Sequence, residues 1–201
     1  MKQTLFIFLR HAESEKNIIN IIGGKGKQLT VLGVQQAETI AEHLYQMLGT
    51  KQCDIISSPA VQACETASII AKQFDKDVII SDELVPASMG IISGLSENEI
   101  QDRFPDIAET LRKWRSCEIE ACDILVPGKE APEIFWNRMI DFLNSHATGK
   151  IKIIVATRSI MVFAKNLVQN KLPQKGGGYK HMNVAHCEIV SFIWNEGICA
   201  N

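Results

Sequence analysis

The strongest constraint on this chain's fold is its alternation of short apolar runs with longer amphipathic segments. Apolar runs of strand length occupy residues 4–9, 53–57, 77–80, 151–156 and 187–194. Helix-like segments separate most of them. Thr30 to Leu48 places Val31, Val34, Ala37, Ile40, Ala41, Leu44 and Leu48 at near-helical spacing, with Thr30 suited to the N-cap and Gly49 to the close. A second helix is predicted from Pro59, in its first turn, to about Phe74, a third over Glu133 to His146, and a fourth over Ser159 to Val168. This order predicts an α/β fold whose mostly parallel sheet carries helices on both faces.

A length of 201 residues suits a single domain, 1–201, or one domain with an inserted cap. The stretch 86–127 breaks the alternation. It holds Gly90, Gly94 and Pro105, with short helical patterns at Glu97–Phe104 and Ile107–Arg115, and reads as an insertion or lid. Lys175-Gly176-Gly177-Gly178 reads as a flexible loop before the last strand. A net charge of −2 supplies no attraction to nucleic acid or an anionic membrane, so neither is an expected partner. No run is long enough for a membrane span or a signal peptide, which makes the cytoplasm the expected compartment. The six cysteines form no C-x-x-C pair and read as free thiols.

Directly after the first run stands Arg10-His11-Ala12-Glu13. Open α/β sheets bind ligands at the carboxyl ends of their strands, where this cation and imidazole would lie. Four further segments follow in order: Gln28-Leu29-Thr30-Val31-Leu32-Gly33-Val34-Gln35-Gln36-Ala37; Ile56-Ser57-Ser58-Pro59 with Glu65-Thr66-Ala67; Gly90 with Gly94-Leu95-Ser96; and Pro127-Gly128-Lys129-Glu130. Together with Ser14 and Asn17, the set resembles the histidine phosphatase superfamily, which includes the cofactor-dependent phosphoglycerate mutases.

The resemblance implies that His11 is the nucleophile, forming a phosphohistidine that divides one hard transfer into two. It implies a phosphate pocket in which Arg10 offers a fork of donors and Asn17 a neutral donor. Three positions depart from the family pattern. Gln62 stands where an arginine is usual and keeps a hydrogen bond without the charge. Pro86 stands where the general acid is common and has no proton to give. Arg158, followed by Ser159, stands at the second histidine and can replace the cation missing at Gln62.

Two readings follow. In the first, the chain is a degenerate, weakly active or inactive member that binds a small phosphorylated metabolite or a phosphoprotein in an anion pocket built on Arg10, His11, Asn17, Gln62 and Arg158. In the second, it is a working phosphohydrolase or phosphotransferase acting on substrates with good leaving groups, because general acid help worth ~10²–10⁴-fold is missing. The joint loss at 62, 86 and 158 favours the first, and retention of Arg10-His11 supports the second. Mutase chemistry, which needs acid–base help in both directions, ranks third.

Glu13, Ser159 and His186 are expected at the pocket rim. No cofactor or metal is expected: His181 and His186 lack further ligands and read as solvated. His43 and His146 read as helix-surface residues, and Glu118, Glu120 and Asp123 as a solvated acidic face. Trp114, Trp136 and Trp194 read as core. Lys25, Gly26 and Lys27 are placed in a loop near the pocket. An assembly of identical copies is left open.

Overall fold

In the computed structural model, which describes residues 3–24, 26–49, 52–195 and, by backbone alone, 198–200, the apolar runs become strands at nearly the expected places. In chain order the elements are β1 (Thr4–Arg10), α1 (Glu15–Ile18), α2 (Val31–Leu48), β2 (Cys53–Ser57), α3 (Val61–Phe74), β3 (Val78–Ile80), α4 (Glu97–Arg103), α5 (Pro105–Arg115), α6 (Pro132–His146), β4 (Ile151–Ala156), α7 (Arg158–Val168), β5 (Ile189–Asn195) and β6 (Ile198–Ala200). The expectation placed on Lys25 lies outside the described residues.

The strands form one sheet in the order β3-β2-β4-β1-β5-β6. β3, β2, β4 and β1 run parallel, β5 is antiparallel to β1, and β6 is antiparallel to β5. β6 has no counterpart in the sequence reading, because a three-residue strand is too short to show a period.

Side chains alternate across β1, and both faces are dry. Phe6 and Phe8 enter a core with Phe142, Phe163, Phe192 and Trp194, under α6 and α7. Phe192 stacks on Phe6 at 6.0 Å and on Phe8 at 5.6 Å. Ile7 and Leu9 enter the other core with Ala41, Leu44, Ala67 and Ile70, under α2 and α3. Burial on both sides explains why the runs read as continuously apolar rather than alternating. Trp136 and Trp194 are core residues as expected.

Helix starts follow local chemistry. The Thr30 hydroxyl accepts from the Gly33 N–H at 2.9 Å and caps α2. Pro59, expected in the first turn of α3, stays outside it. Ser58 still donates its N–H to Val155 O of β4 at 2.9 Å, so the chain must first leave the sheet edge, and Ala60 becomes the N-cap. Among the described residues, no helix is long and apolar enough to cross a membrane.

The 86–127 stretch carries α4 and α5 over a third small core of Ile92, Ile100, Leu111, Ile124 and Val126. Its two ends are stitched together: Ile91 N–H donates to Pro127 O and Glu130 N–H to Ser88 O, both at 3.0 Å. Gly90 sits in this seam at φ +59°, and a Cβ there would lie 2.1 Å from Pro127 O. Two loop expectations are corrected here. Glu118 and Asp123 are exposed, but the half-buried Glu120 carboxylate is also a tether: its oxygens accept the N–H groups of Gly176 and Gly178, each at 3.0 Å. That glycine-rich stretch is therefore tied down rather than free. Glycine-rich composition sets what a loop can adopt, not whether a distant carboxylate holds it.

Candidate active site

The parallel strands β1 and β4 open at the same edge of the sheet. His11 N–H donates to Ala156 O at 2.9 Å, so the residue after β1 is still held by β4. α3 and α7 begin at this edge and bring Gln62 and Arg158 to it. A cavity of about 360 Å³ opens there, and its lining includes Arg10, His11, Asn17, Gln62, Arg158, Ser159 and His186. The sequence reading named all seven.

His11 is buried, and its Nδ1 lies 2.7 Å from Ala12 O. A carbonyl only accepts, so Nδ1 carries the proton and Nε2 keeps its lone pair. Burial lowers the imidazole's pKa to about 3 against the opposing pull of the Ala12 carbonyl, and the Arg10 charge lowers it further. The ring is neutral across the physiological range. Arg10 is buried as well. One arm donates to Val184 O at 2.5 Å, while its Nε has no partner. Burial first, and the like charge of Arg158 second, lower its pKa to about 10, which leaves it cationic at neutral pH. Both guanidiniums line the same cavity.

Gln62 is buried with an unpartnered Oε1. Asn17 spends its Oδ1 on the Ser14 N–H (3.0 Å) and hydroxyl (2.8 Å), which orients its NH2 group. Arg158 is exposed to the cavity, and partial enclosure followed by Arg115 lowers its pKa. His186 lies beside His11, ring centroids 6.0 Å apart, with a buried Nε2 that has no partner. Burial, then Arg10, lowers its pKa to about 4. Ser159 Oγ accepts the Ala87 N–H at 3.2 Å and ties α7 to the 86–127 segment.

Glu13, expected at the rim, is absent from the lining. Its carboxylate accepts the Thr30 hydroxyl at 2.8 Å, and its backbone carbonyl accepts the Thr30 N–H at 3.1 Å. It binds the start of α2 to the loop that carries His11.

Pro86 lines the cavity. The two lining carboxylates are engaged: Glu97 with Arg115 at 2.8 Å and Glu130 with Arg138 at 3.1 Å. Glu83 lies outside the lining, 4.0 Å from His146. The neutral His11 imidazole thus lines the cavity, and among the described residues both carboxylates of its lining are held by arginines. Lys16, Arg115, Lys129 and Trp114 also line the cavity and were not read as site residues. Trp114, read as core, is half-buried in the cavity wall, and His181, read as solvated, packs edge-on against it at 4.8 Å. Helical spacing marks a buried face without telling whether a neighbour or a hollow covers it. His146, read as surface, stacks on Phe142 at 4.3 Å.

The chain is 32% identical over 139 residues to the probable phosphoglycerate mutase GpmB of Proteus mirabilis, an alignment covering 68% of this chain and 60% of that protein. It is 31% identical over 139 residues to phosphoserine phosphatase 1 of Hydrogenobacter thermophilus, covering 68% and 61%. The chain thus spans about three fifths of the length of these relatives. Among solved structures, it is similar to mycobacterial glucosyl-3-phosphoglycerate phosphatase complexed with VO3, with a TM-score of 0.76 at 19% identity over 100% of this chain and 96% of that one. It is also similar to phosphoglycerate mutase from Bacillus anthracis, with a TM-score of 0.75 at 18% identity over 99% and 91%. At these identities the structures speak for the fold. The family model described as histidine phosphatase superfamily (branch 1) matches residues 6–198, and the chain belongs to that superfamily.

Proposed function

We propose that this chain binds phosphomonoesters at Arg10, His11, Asn17, Gln62 and Arg158, and that it turns over only those whose leaving group departs without a proton. The observation that carries the reading is the His11 ring, held by Ala12 O with its Nε2 lone pair free and its pKa lowered to about 3. In the first step Nε2 forms an N–P bond while the P–O ester bond breaks, and the leaving oxygen takes the electron pair. Arg10 and Arg158 balance charge on the equatorial oxygens, and Gln62 and Asn17 add neutral donors. Water then attacks phosphorus, the P–N bond breaks, and phosphate leaves with release of a proton.

Pro86 supports the limit on leaving groups, and it equally supports a second reading in which the chain binds a phosphorylated metabolite or phosphoprotein without turnover. A cytoplasmic location belongs to the same proposal, since reducing surroundings keep thiols such as Cys64 free. The test is steady-state hydrolysis of 4-nitrophenyl phosphate, acetyl phosphate and an unactivated alkyl phosphate, with His11→Ala as control. Turnover of the first two, absent in the variant and at least about a hundredfold slower for the alkyl ester, is expected. Equal rates on all three would overturn the leaving-group argument. No turnover, with inorganic phosphate still raising the melting temperature, would select the second reading.

A further inference from the structure

Arg10, His11, Asn17, Gln62 and Arg158 form one polar side of the cavity, and Lys16, Arg115 and Lys129 add charge around it. The wall contributed by the 86–127 segment and its neighbours has a different character. Met89, Leu111, Trp114 and Ile124 present apolar surface, joined by Phe135 of α6 and Ile22. Of the charges on this wall, Arg115 pairs with Glu97 at 2.8 Å, and the Lys129 ammonium, whose pKa burial lowers, donates to the Ala121 carbonyl at 3.4 Å. On this wall the indole Nε1 of Trp114 is buried and, among the described residues, has no hydrogen-bond partner. A buried N–H without an acceptor is costly, and a bound ligand carrying an acceptor would remove that cost.

We infer that the ligand of this cavity is a phosphomonoester with a flat, apolar or aromatic body bearing a hydrogen-bond acceptor, and that Trp114 selects that body. The inference rests on the phosphoryl-binding reading above and adds the chemistry of the rest of the molecule. A small polyhydroxylated or carboxylated body carries acceptors for the indole N–H but would leave the apolar surface wet. A ring buried against Leu111, Ile124 and Trp114 gains affinity in proportion to the area withdrawn from water. Aromatic stacking on the indole adds to it.

Phosphonates separate binding from turnover, because their C–P bond survives the His11 chemistry. Calorimetric titration of the whole chain would compare methylphosphonate, 2-carboxyethylphosphonate, (naphthylmethyl)phosphonate and a (quinolinylmethyl)phosphonate. The naphthyl compound is expected to bind at least about tenfold tighter than the first two. The ring nitrogen of the quinoline is expected to add roughly fivefold through the indole N–H. Trp114→Ala should bring the naphthyl preference, read as the ratio to methylphosphonate, to within about threefold. Trp114→Phe, which keeps an aromatic face in the wall, should retain most of the naphthyl preference and lose only the quinoline gain.

Methylphosphonate binding without any naphthyl preference, or a preference for the carboxyethyl compound, would overturn the inference and leave the phosphoryl reading standing. A naphthyl preference untouched in Trp114→Ala would overturn the role of Trp114. Failure of every phosphonate and of inorganic phosphate to bind would overturn both the inference and the reading beneath it.

Discussion

Gly33 occupies the first turn of α2, where helix propensity alone says that alanine would stabilise the protein by about 1 kcal/mol. The structure reverses the sign. A Cβ at position 33 would lie 1.9 Å from Glu13 O and 2.9 Å from the Glu13 carbonyl carbon, both backbone atoms. An ordinary carbon–oxygen contact is over an ångström longer, so the helix start must move away from the 11–14 loop. That movement pulls on the Thr30 N–H to Glu13 O bond (3.1 Å), the Thr30 hydroxyl to Glu13 carboxylate bond (2.8 Å) and the Thr30 cap itself (2.9 Å). Overpacking costs about 1–3 kcal/mol and a lost cap about 1, against the 1 gained from propensity. Gly33→Ala is therefore expected to destabilise by about 1–3 kcal/mol. At 2–4 °C per kcal/mol for a chain of this size, that is a fall of roughly 2–12 °C in melting temperature. Thermal and urea unfolding measure it. The Glu13 strand exit carries His11, so phosphate affinity should fall in the same variant. A variant as stable as the parent, or more stable, would refute the claim that this glycine exists for close approach.

Three further predictions test other parts of the molecule. His11 and His186 have folded pKa values lowered from 6.5 to about 3 and about 4. Below pH 6.5 the unfolded chain binds more protons at these sites, so their contribution to stability is intact above that pH and is lost as pH falls toward 3. His11→Asn and His186→Asn should each flatten the pH dependence of urea unfolding between pH 6.5 and 4, and an unchanged slope in both would contradict the burial argument. Pro86→Glu, combined with Gln62→Arg and Arg158→His, should raise hydrolysis of an alkyl phosphate by about a hundredfold in a steady-state assay; no gain would mean that the backbone around the cavity has drifted along with the side chains. Glu120→Ala removes the acceptor of two backbone N–H groups and should cost roughly 1–3 kcal/mol, read by urea unfolding, with new protease cleavage at 175–178; a resistant loop would contradict its anchoring role.

β1, β2 and β4 were legible because both of their faces are largely buried and they read as mostly apolar runs, whereas β6 is too short to show one. Arg10 and His11 were legible at the end of the first apolar run, and Gln62 and Arg158 through the family resemblance; all four lie at or a few residues past a strand end, where the parallel topology gathers them. Glu13 was misplaced for the same reason. Adjacency to His11 in sequence put it at the pocket, whereas its side chain turns to Thr30, a long-range partner that no spacing reveals. Trp114 and His181 come together from segments far apart in the chain, and their shared place in the cavity wall depends on how the 86–127 segment folds over the sheet. Pro59 shows a finer limit: a proline marks where a helix can begin, but the hydrogen bond of Ser58 to β4 decides where it does.

The seam between residues 88–91 and 127–130 has a consequence for how such a protein changes over time. Because the backbone closes on itself there, the segment leaves and rejoins the rest of the chain at one place, while Ile22, Tyr179 and the Gly176–Gly178 loop hold its far side. Residues can be added, removed or exchanged within the segment without shifting the register of β1 against β4. Side chains of the cavity wall can thus be exchanged above an unaltered edge that carries Arg10 and His11, and the wall can diverge faster than the framework that supports it.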